Sequence, residues 1–191
     1  LDKSDLRLTE IIQNHSQRMN SIVENVLQLS RRETSHPKEI VLREWLASFV
    51  EEFSLMEHML PEQIQIALEP DDITVYFDTT HLQQVLWNLC QNAVKYGTKP
   101  ESKPHIHLRG GISDTSQEPY LDIVDNGPGI DAQTAQEMFE PFFTTHNEGT
   151  GLGLYLTSEL CQCNHAQLDY QPNPSGGSCF RISFSQNQSR L

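Results

Sequence analysis

The chain has 191 residues, with 13 Lys and Arg against 26 Asp and Glu and a formal net charge of −13 with histidine neutral. That balance excludes the basic face that nucleic acid requires and suits a well-solvated surface or a basic partner. No run approaches the roughly 20 apolar residues of a membrane helix, and the N-terminus carries no signal-like apolar stretch.

In chain order, Leu8, Ile12, His15, Met19, Ile22, Val26 and Leu29 alternate steps of four and three, a heptad seam from about Leu6 to Arg32. Ile11, Val23 and Leu27 widen it, which fits a helix of a four-helix bundle better than a two-stranded coil. His15 sits on the seam, and Asn14-His15-Ser16-Gln17-Arg18 offers it no adjacent carboxylate, so it reads as a bundle histidine. The heptad stops at Glu33-Thr-Ser-His-Pro-Lys38, where proline opposes helical continuation. Three segments follow: a helical piece over 1–34, a linker over 35–39 and a second domain over 40–191.

Within that domain the patterning predicts strands at Glu39 to Leu42, Ile64 to Leu68, Thr74 to Phe77, His105 to Gly111 and Tyr120 to Val124. It predicts helices over Trp45 to Glu57, Thr79 to Tyr96 and from Leu154 to about Cys163, then a hairpin of Ala166 to Tyr170 and Cys179 to Phe184. The expected fold is an α/β two-layer sandwich, a mixed sheet with helices on one face, preceded by a long N-terminal helix. Cys90, Cys161, Cys163 and Cys179 contain no C-x-x-C pair and read as reduced, buried thiols of a cytosolic fold. The eight histidines show no H-E-x-x-H arrangement.

Three elements carry chemistry. Leu82, Val85, Leu86, Leu89 and Ala93 form an apolar helical stripe, which leaves Asn88 and Asn92 one turn apart on another face, with Lys95 and Tyr96 near the C-terminal end. Asparagine oxygens are hard neutral ligands suited to Mg²⁺, which keeps several waters and leans on substrate phosphates. In Asp122-Ile-Val-Asp-Asn-Gly-Pro-Gly-Ile130, Asp125 leaves a strand beside Gly127 and Gly129, where a planar ligand meets bare backbone. An ionised carboxylate only accepts, so it binds the amine of adenine and repels the carbonyl of guanine. Gly149, Gly151 and Gly153 lead into a helix, offering backbone N–H groups and a positive dipole end to phosphates. The spacing is neither that of a P-loop nor of a dinucleotide fingerprint.

Together these elements resemble the catalytic, ATP-binding domain of two-component sensor histidine kinases, in the superfamily that holds gyrase, heat-shock chaperone and mismatch-repair ATPases. Asn88 to Gly97 is similar to the N box, Asp125 to Gly129 to the first glycine box, Phe139 to Phe143 to the F box, and Gly149 to Leu154 to the second glycine box. The resemblance implies that Asn92 coordinates Mg²⁺, that Asn88 and Lys95 line the phosphates, that Tyr96 flanks the nucleotide and that Asp125 binds the adenine amine. Gly127, Gly129, Ile130, Phe139, Thr144 and Thr145 would add to the ATP site, as would Gly149, Thr150, Gly151, Leu152, Gly153 and Leu154. Ile130 to Glu148 would form a mobile lid anchored by Phe142 and Phe143. Related kinases often carry Lys after Phe-Phe-Thr-Thr; this chain has His146 there, which removes a permanent positive charge from the lid.

The resemblance extends to the N-terminal piece, which is similar to the second helix of the dimerisation and phosphotransfer bundle. By that likeness the acceptor histidine lies upstream and the chain, which begins at Leu1, is a fragment. It implies a homodimer at full length, a membrane-anchored sensor with this domain in the cytoplasm, and a response regulator receiver domain as partner. Asn25-Val-Leu-Gln-Leu-Ser-Arg31, the Phe-Phe-Thr-Thr lid and Cys179-Phe-Arg-Ile-Ser-Phe184 look most like the nitrogen-regulation branch, and within it the kinases of type IV pilus transcription. Where the ATPase branches hold a water-activating glutamate, this chain holds Asn88, whose amide cannot serve as a general base. A clamp-type ATPase would hydrolyse without an acceptor, and a scaffold with a dead pocket would gain no thermal stability from ATP.

Overall fold

The computed structural model describes residues 35–97, 102–146, 149–173 and 176–185, together with positions 9, 12, 13, 16, 19 and 23. Those six positions are helical, and Ile12, Met19 and Val23 are exposed. His15 and the rest of the expected seam lie outside the described residues.

The chain then forms strand β1 (Lys38–Val41), helix α1 (Leu42–Met56), a 3₁₀ turn (Pro61–Gln63), β2 (Ile64–Glu69), β3 (Thr74–Phe77), helix α2 (Thr79–Tyr96), β4 (Ile106–Ile112) and β5 (Pro119–Asp125). Helices α3 (Ala132–Glu137) and α4 (Gly153–Cys163) follow, then β6 (Ala166–Pro172) and β7 (Ser178–Phe184). Strand β1 lies one residue before the predicted Glu39 to Leu42: Lys38, expected in the linker, opens it, and Leu42 begins the helix. Helix α1 starts three residues before the predicted Trp45, because Leu42 and Leu46 belong to the buried stripe that Phe49 and Phe53 continue.

The main sheet has the order β2-β4-β5-β7-β6, with β2 parallel to β4 and the other pairs antiparallel. It is the mixed sheet expected. Strands β1 and β3 instead form a separate antiparallel ribbon, tied to the main sheet where Phe77 meets the Phe184 ring edge-on at 5.8 Å. One sheet face, built by Leu108, Leu121, Ile123, Leu168, Phe180 and Ile182, shares the core with Leu46, Phe53, Leu82, Leu86, Leu89 and Leu160 from the helices. The alternation of side chains along each strand leaves the other face polar. There Arg109, Asp122, Arg181 and Asp169 stand in register on four neighbouring strands, alternating in charge. Arg181 binds Asp122 with both Nε (2.7 Å) and Nη2 (2.8 Å) and lies 4.0 Å over the Tyr120 ring.

Helices α2 and α4 run antiparallel, and a buried polar junction closes one end of the pair. The Asn164 Oδ1 accepts from Ser35 Oγ (2.9 Å) and Asp78 N (2.8 Å), while Nδ2 donates to Leu160 O (2.8 Å) and lies 3.0 Å from His81 Nδ1. Asp78 caps α2, accepting from Thr80 N and His81 N, and also takes the His36 N–H at 2.8 Å. Burial pushes the Asp78 carboxyl up, but the N–H groups of His36, His81 and Thr80 and the charge of His81 outweigh it and hold the group below the usual carboxylate value. The segment expected as a linker is thus docked on the ends of both helices.

Candidate functional site

At the other end of the pair, where α4 begins against Asn88 and α2 runs on to Tyr96, lies a cavity of about 770 Å³, whose walls include Asn88, Asn92, Lys95 and Tyr96 of α2 and Gly153 and Leu154 of α4. Asp125, at the end of β5, forms the floor of one side, and Gly129, Ile130, Thr144, Thr145, Gly149, Thr150 and Gly151 line the rest. The structure therefore brings together most of the residues singled out by sequence. Gly127, Phe139 and Leu152 do not line the cavity. Gly127 lies so close to the end of α2 that a Cβ would fall 2.6 Å from Gly97 Cα, Phe139 packs edge-on to Phe180 at 6.5 Å, and Leu152 is the buried residue preceding α4.

Asp125 is 8% exposed. Its Oδ1 accepts from Gly127 N at 2.8 Å and Ser178 N at 3.0 Å, which fixes the carboxylate and leaves Oδ2 without a protein partner among the described residues. Gly177 makes this possible: with φ +87 it brings the β6–β7 turn so close that a Cβ would stand 2.0 Å from Asp125 O. Ser178 and Gly177 were missed in the sequence because they read as an ordinary hairpin turn; the glycine pair after Asn173-Pro-Ser was the available signal.

Asn88 donates from Nδ2 to Thr157 Oγ1 at 2.7 Å, and Thr157 donates in turn to Gly153 O at 2.9 Å. Gly153 is held to glycine by this contact, since a Cβ would lie 2.6 Å from Asn88 Oδ1. Among the described residues the Asn88 Oδ1 and the Asn92 side chain have no protein hydrogen bond, and Lys95 is exposed and has no ion pair. No group of three His, Cys, Asp or Glu side chains among the described residues is placed to hold a metal. Neutral oxygens one turn apart fit a hard cation that brings most of its ligands as water and phosphate.

The expected lid divides in two. Its first part is anchored: Asp131 caps α3, accepting from Gln133 N and Thr134 N at 3.0 Å, and Met138 is buried. In its second part Phe142 is 69% exposed with φ 69, held by its N–H to Gly151 O at 2.8 Å. Phe143 is half-buried and lines the cavity, so of the two expected anchors only Phe143 faces inward. The His146 ring stacks on Tyr96 at 4.2 Å, at the C-terminal end of α2. The cysteines are free thiols, three of them buried.

This fold and cavity define the class. The profile of the histidine kinase-, DNA gyrase B- and HSP90-like ATPases matches residues 77–188, and the chain belongs to that family. Among individual relatives it is 44% identical over 185 residues to the sensor protein kinase PilS of Pseudomonas aeruginosa, covering 97% of this chain and 35% of that protein. It is 28% identical to the sensor protein RprX of Bacteroides fragilis, covering 92% and 35%. The chain thus spans about a third of the length of these relatives. Solved structures share the fold: the histidine kinase ThkA in complex with the response regulator TrrA (TM-score 0.75, 22% identity, 100% of this chain and 55% of that one) and the Acinetobacter baumannii histidine kinase AdeS (0.68, 24%, 98% and 87%).

Proposed function

We propose that the chain is the ATP-binding catalytic part of a two-component sensor histidine kinase, placing the ATP γ-phosphate on a bundle histidine outside these residues for relay to a response regulator aspartate. The observation that carries this reading is the convergence of the Asp125 acceptor, the Asn88 and Asn92 pair and the glycine entry to α4 on one cavity. Asp125 Oδ2 takes the adenine amine, with Tyr96 flanking the nucleotide. Lys95 and the N–H groups from Gly149 to Leu154 serve the phosphates. Asn92, with Asn88 beside it, holds Mg²⁺, which when bound neutralises charge on the transferring phosphoryl group.

Asn88 in place of a carboxylate leaves water without a base, so ATP waits for the histidine. The N-terminal segment 1–34 supplies the second bundle helix, 35–39 the connection and 40–191 the catalytic domain, in a homodimer whose full-length form is a membrane-anchored sensor with this domain in the cytoplasm. The kinase is read as one of the nitrogen-regulation branch and, within it, of the kinases of type IV pilus transcription.

Calorimetry with Mg²⁺-ATP, with GTP as control and Asp125→Ala as the variant, tests the reading, followed by addition of a bundle fragment carrying the acceptor histidine. Adenine-selective binding, lost in the variant and productive on that fragment, is expected. Fast hydrolysis without the fragment would establish a clamp-type ATPase instead, and absence of binding would leave a scaffold.

A further inference from the structure

Thr157 is 1% exposed, in the wall between α2 and α4. A buried hydroxyl is costly unless hydrogen-bonded, and its neighbours one turn away on the same helix, Leu160 and Cys161, are apolar and buried. A valine would fill the same volume. Two polar contacts account for the hydroxyl: Gly153 O, which can only accept, at 2.9 Å, and the Asn88 amide at 2.7 Å. With its hydrogen on Gly153 O, the Thr157 oxygen has only lone pairs left and requires a donor. Asn88 must then turn Nδ2 inward, which leaves Oδ1 against Gly153 at the cavity wall. Asn92, one turn further along α2, has no such clamp among the described residues.

We propose that Thr157 is a positioning residue that fixes the polarity of the Asn88 amide, so that Asn88 offers its carbonyl oxygen, not its NH₂, to the nucleotide site. This rests on the nucleotide reading above and moves Asn88 from the phosphates, where the family resemblance put it beside Lys95, to the magnesium ion. A carbonyl oxygen repels phosphate oxygens and attracts a cation or its waters, so Asn88 acts on the magnesium side of the nucleotide and Lys95 on the phosphate side. The link also ties the asparagine helix to Gly153, the last glycine of the turn.

The test uses the full chain with Thr157→Val, which keeps the shape and removes the hydroxyl, and Thr157→Ser, which keeps the hydroxyl. Side-chain amide resonances of Asn88, assigned with Asn88→Asp, are recorded without nucleotide, and ADP affinity is measured by calorimetry with and without Mg²⁺. Thr157→Val is expected to shift the Asn88 amide resonances and to reduce the gain in ADP affinity due to Mg²⁺ by about tenfold, the lower end of the effect of removing a group that orients a metal ligand. Mg²⁺-free affinity should stay within about twofold, and Thr157→Ser should restore both readouts.

Equal losses with and without Mg²⁺, or no loss, would overturn the assignment. Should Thr157→Val fail to fold by circular dichroism, Thr157→Ala is read by the same criteria. An unshifted Asn88 resonance in the variant overturns the clamp alone, whereas wild-type protein that binds no ADP overturns the nucleotide reading and the magnesium role with it.

Discussion

The two ends of the α2–α4 pair treat polar side chains in opposite ways. At the Asn164 junction both amide atoms of a residue only 2% exposed are engaged. The Asp78 N–H can only donate and Leu160 O can only accept, so the amide orientation is dictated. At the cavity end, Asp125 Oδ2, Asn88 Oδ1 and the Asn92 amide face open space without protein partners among the described residues. Buried polar groups are ordinarily paired within the protein. A fully satisfied network is architecture, whereas convergent unsatisfied groups beside it mark where a ligand completes the set.

The largest effects should come from forcing one end open. Gly177→Ala places a Cβ against Asp125 O in a left-handed backbone, and a cost of about 3 kcal/mol is expected from strain and displacement together. Because the β6–β7 turn carries Ser178 away from Asp125, adenine-nucleotide affinity should fall with stability, read by calorimetry and thermal melting.

Asn164→Ala should cost about the same, roughly 2–4 kcal/mol, by stranding the Asp78 N–H and its neighbours. Here the distinction sharpens: urea unfolding should show the loss, while nucleotide affinity of the folded protein changes by less than about twofold, since none of the cavity residues is removed. Loss of both together would show that the junction sets the geometry of the site.

A smaller effect is expected from His146→Ala, which removes the stack on Tyr96 and should weaken lid closure by about 0.5–1.5 kcal/mol, seen as faster nucleotide release by stopped flow with unchanged stability. The mildest probe is acid. Asp78 has a lowered folded-state value, so its contribution is present above the unfolded carboxylate value of about 3.9 and is lost as pH falls through the folded value. Below about pH 4 the wild type should lose stability more steeply than Asp78→Asn, whose amide oxygen still caps α2; equal slopes in acid urea titrations would remove the junction from the account.

Legibility in the sequence followed the range of the interaction. Helix α2 was predicted with both ends correct, Thr79 and Tyr96, because its stripe of Leu82, Val85, Leu86 and Leu89 is periodic and Gly97 stops it. Helix α3 is not legible in the sequence, since Ala132–Glu137 buries no residue and so has no periodicity; the Asp131 cap is its one local signal. The ribbon of β1 and β3 was read as two strands without its separation from the main sheet, because pairing partners are not encoded in either strand alone.

By itself the sequence determined the mixed α/β class, helices α1, α2 and α4, the seven strands, and most of the residues that gather at the cavity. These follow from local periodicity, glycine placement and the chemistry of single side chains. Tertiary structure alone decided that Asn164, Thr157 and Ser178 matter and that Gly127, Phe139 and Leu152 support the cavity from behind. The reason is physical: a lone Asn, Thr or Ser is ambiguous until its partner is known, and here those partners lie 86, 69 and 53 residues away in the chain.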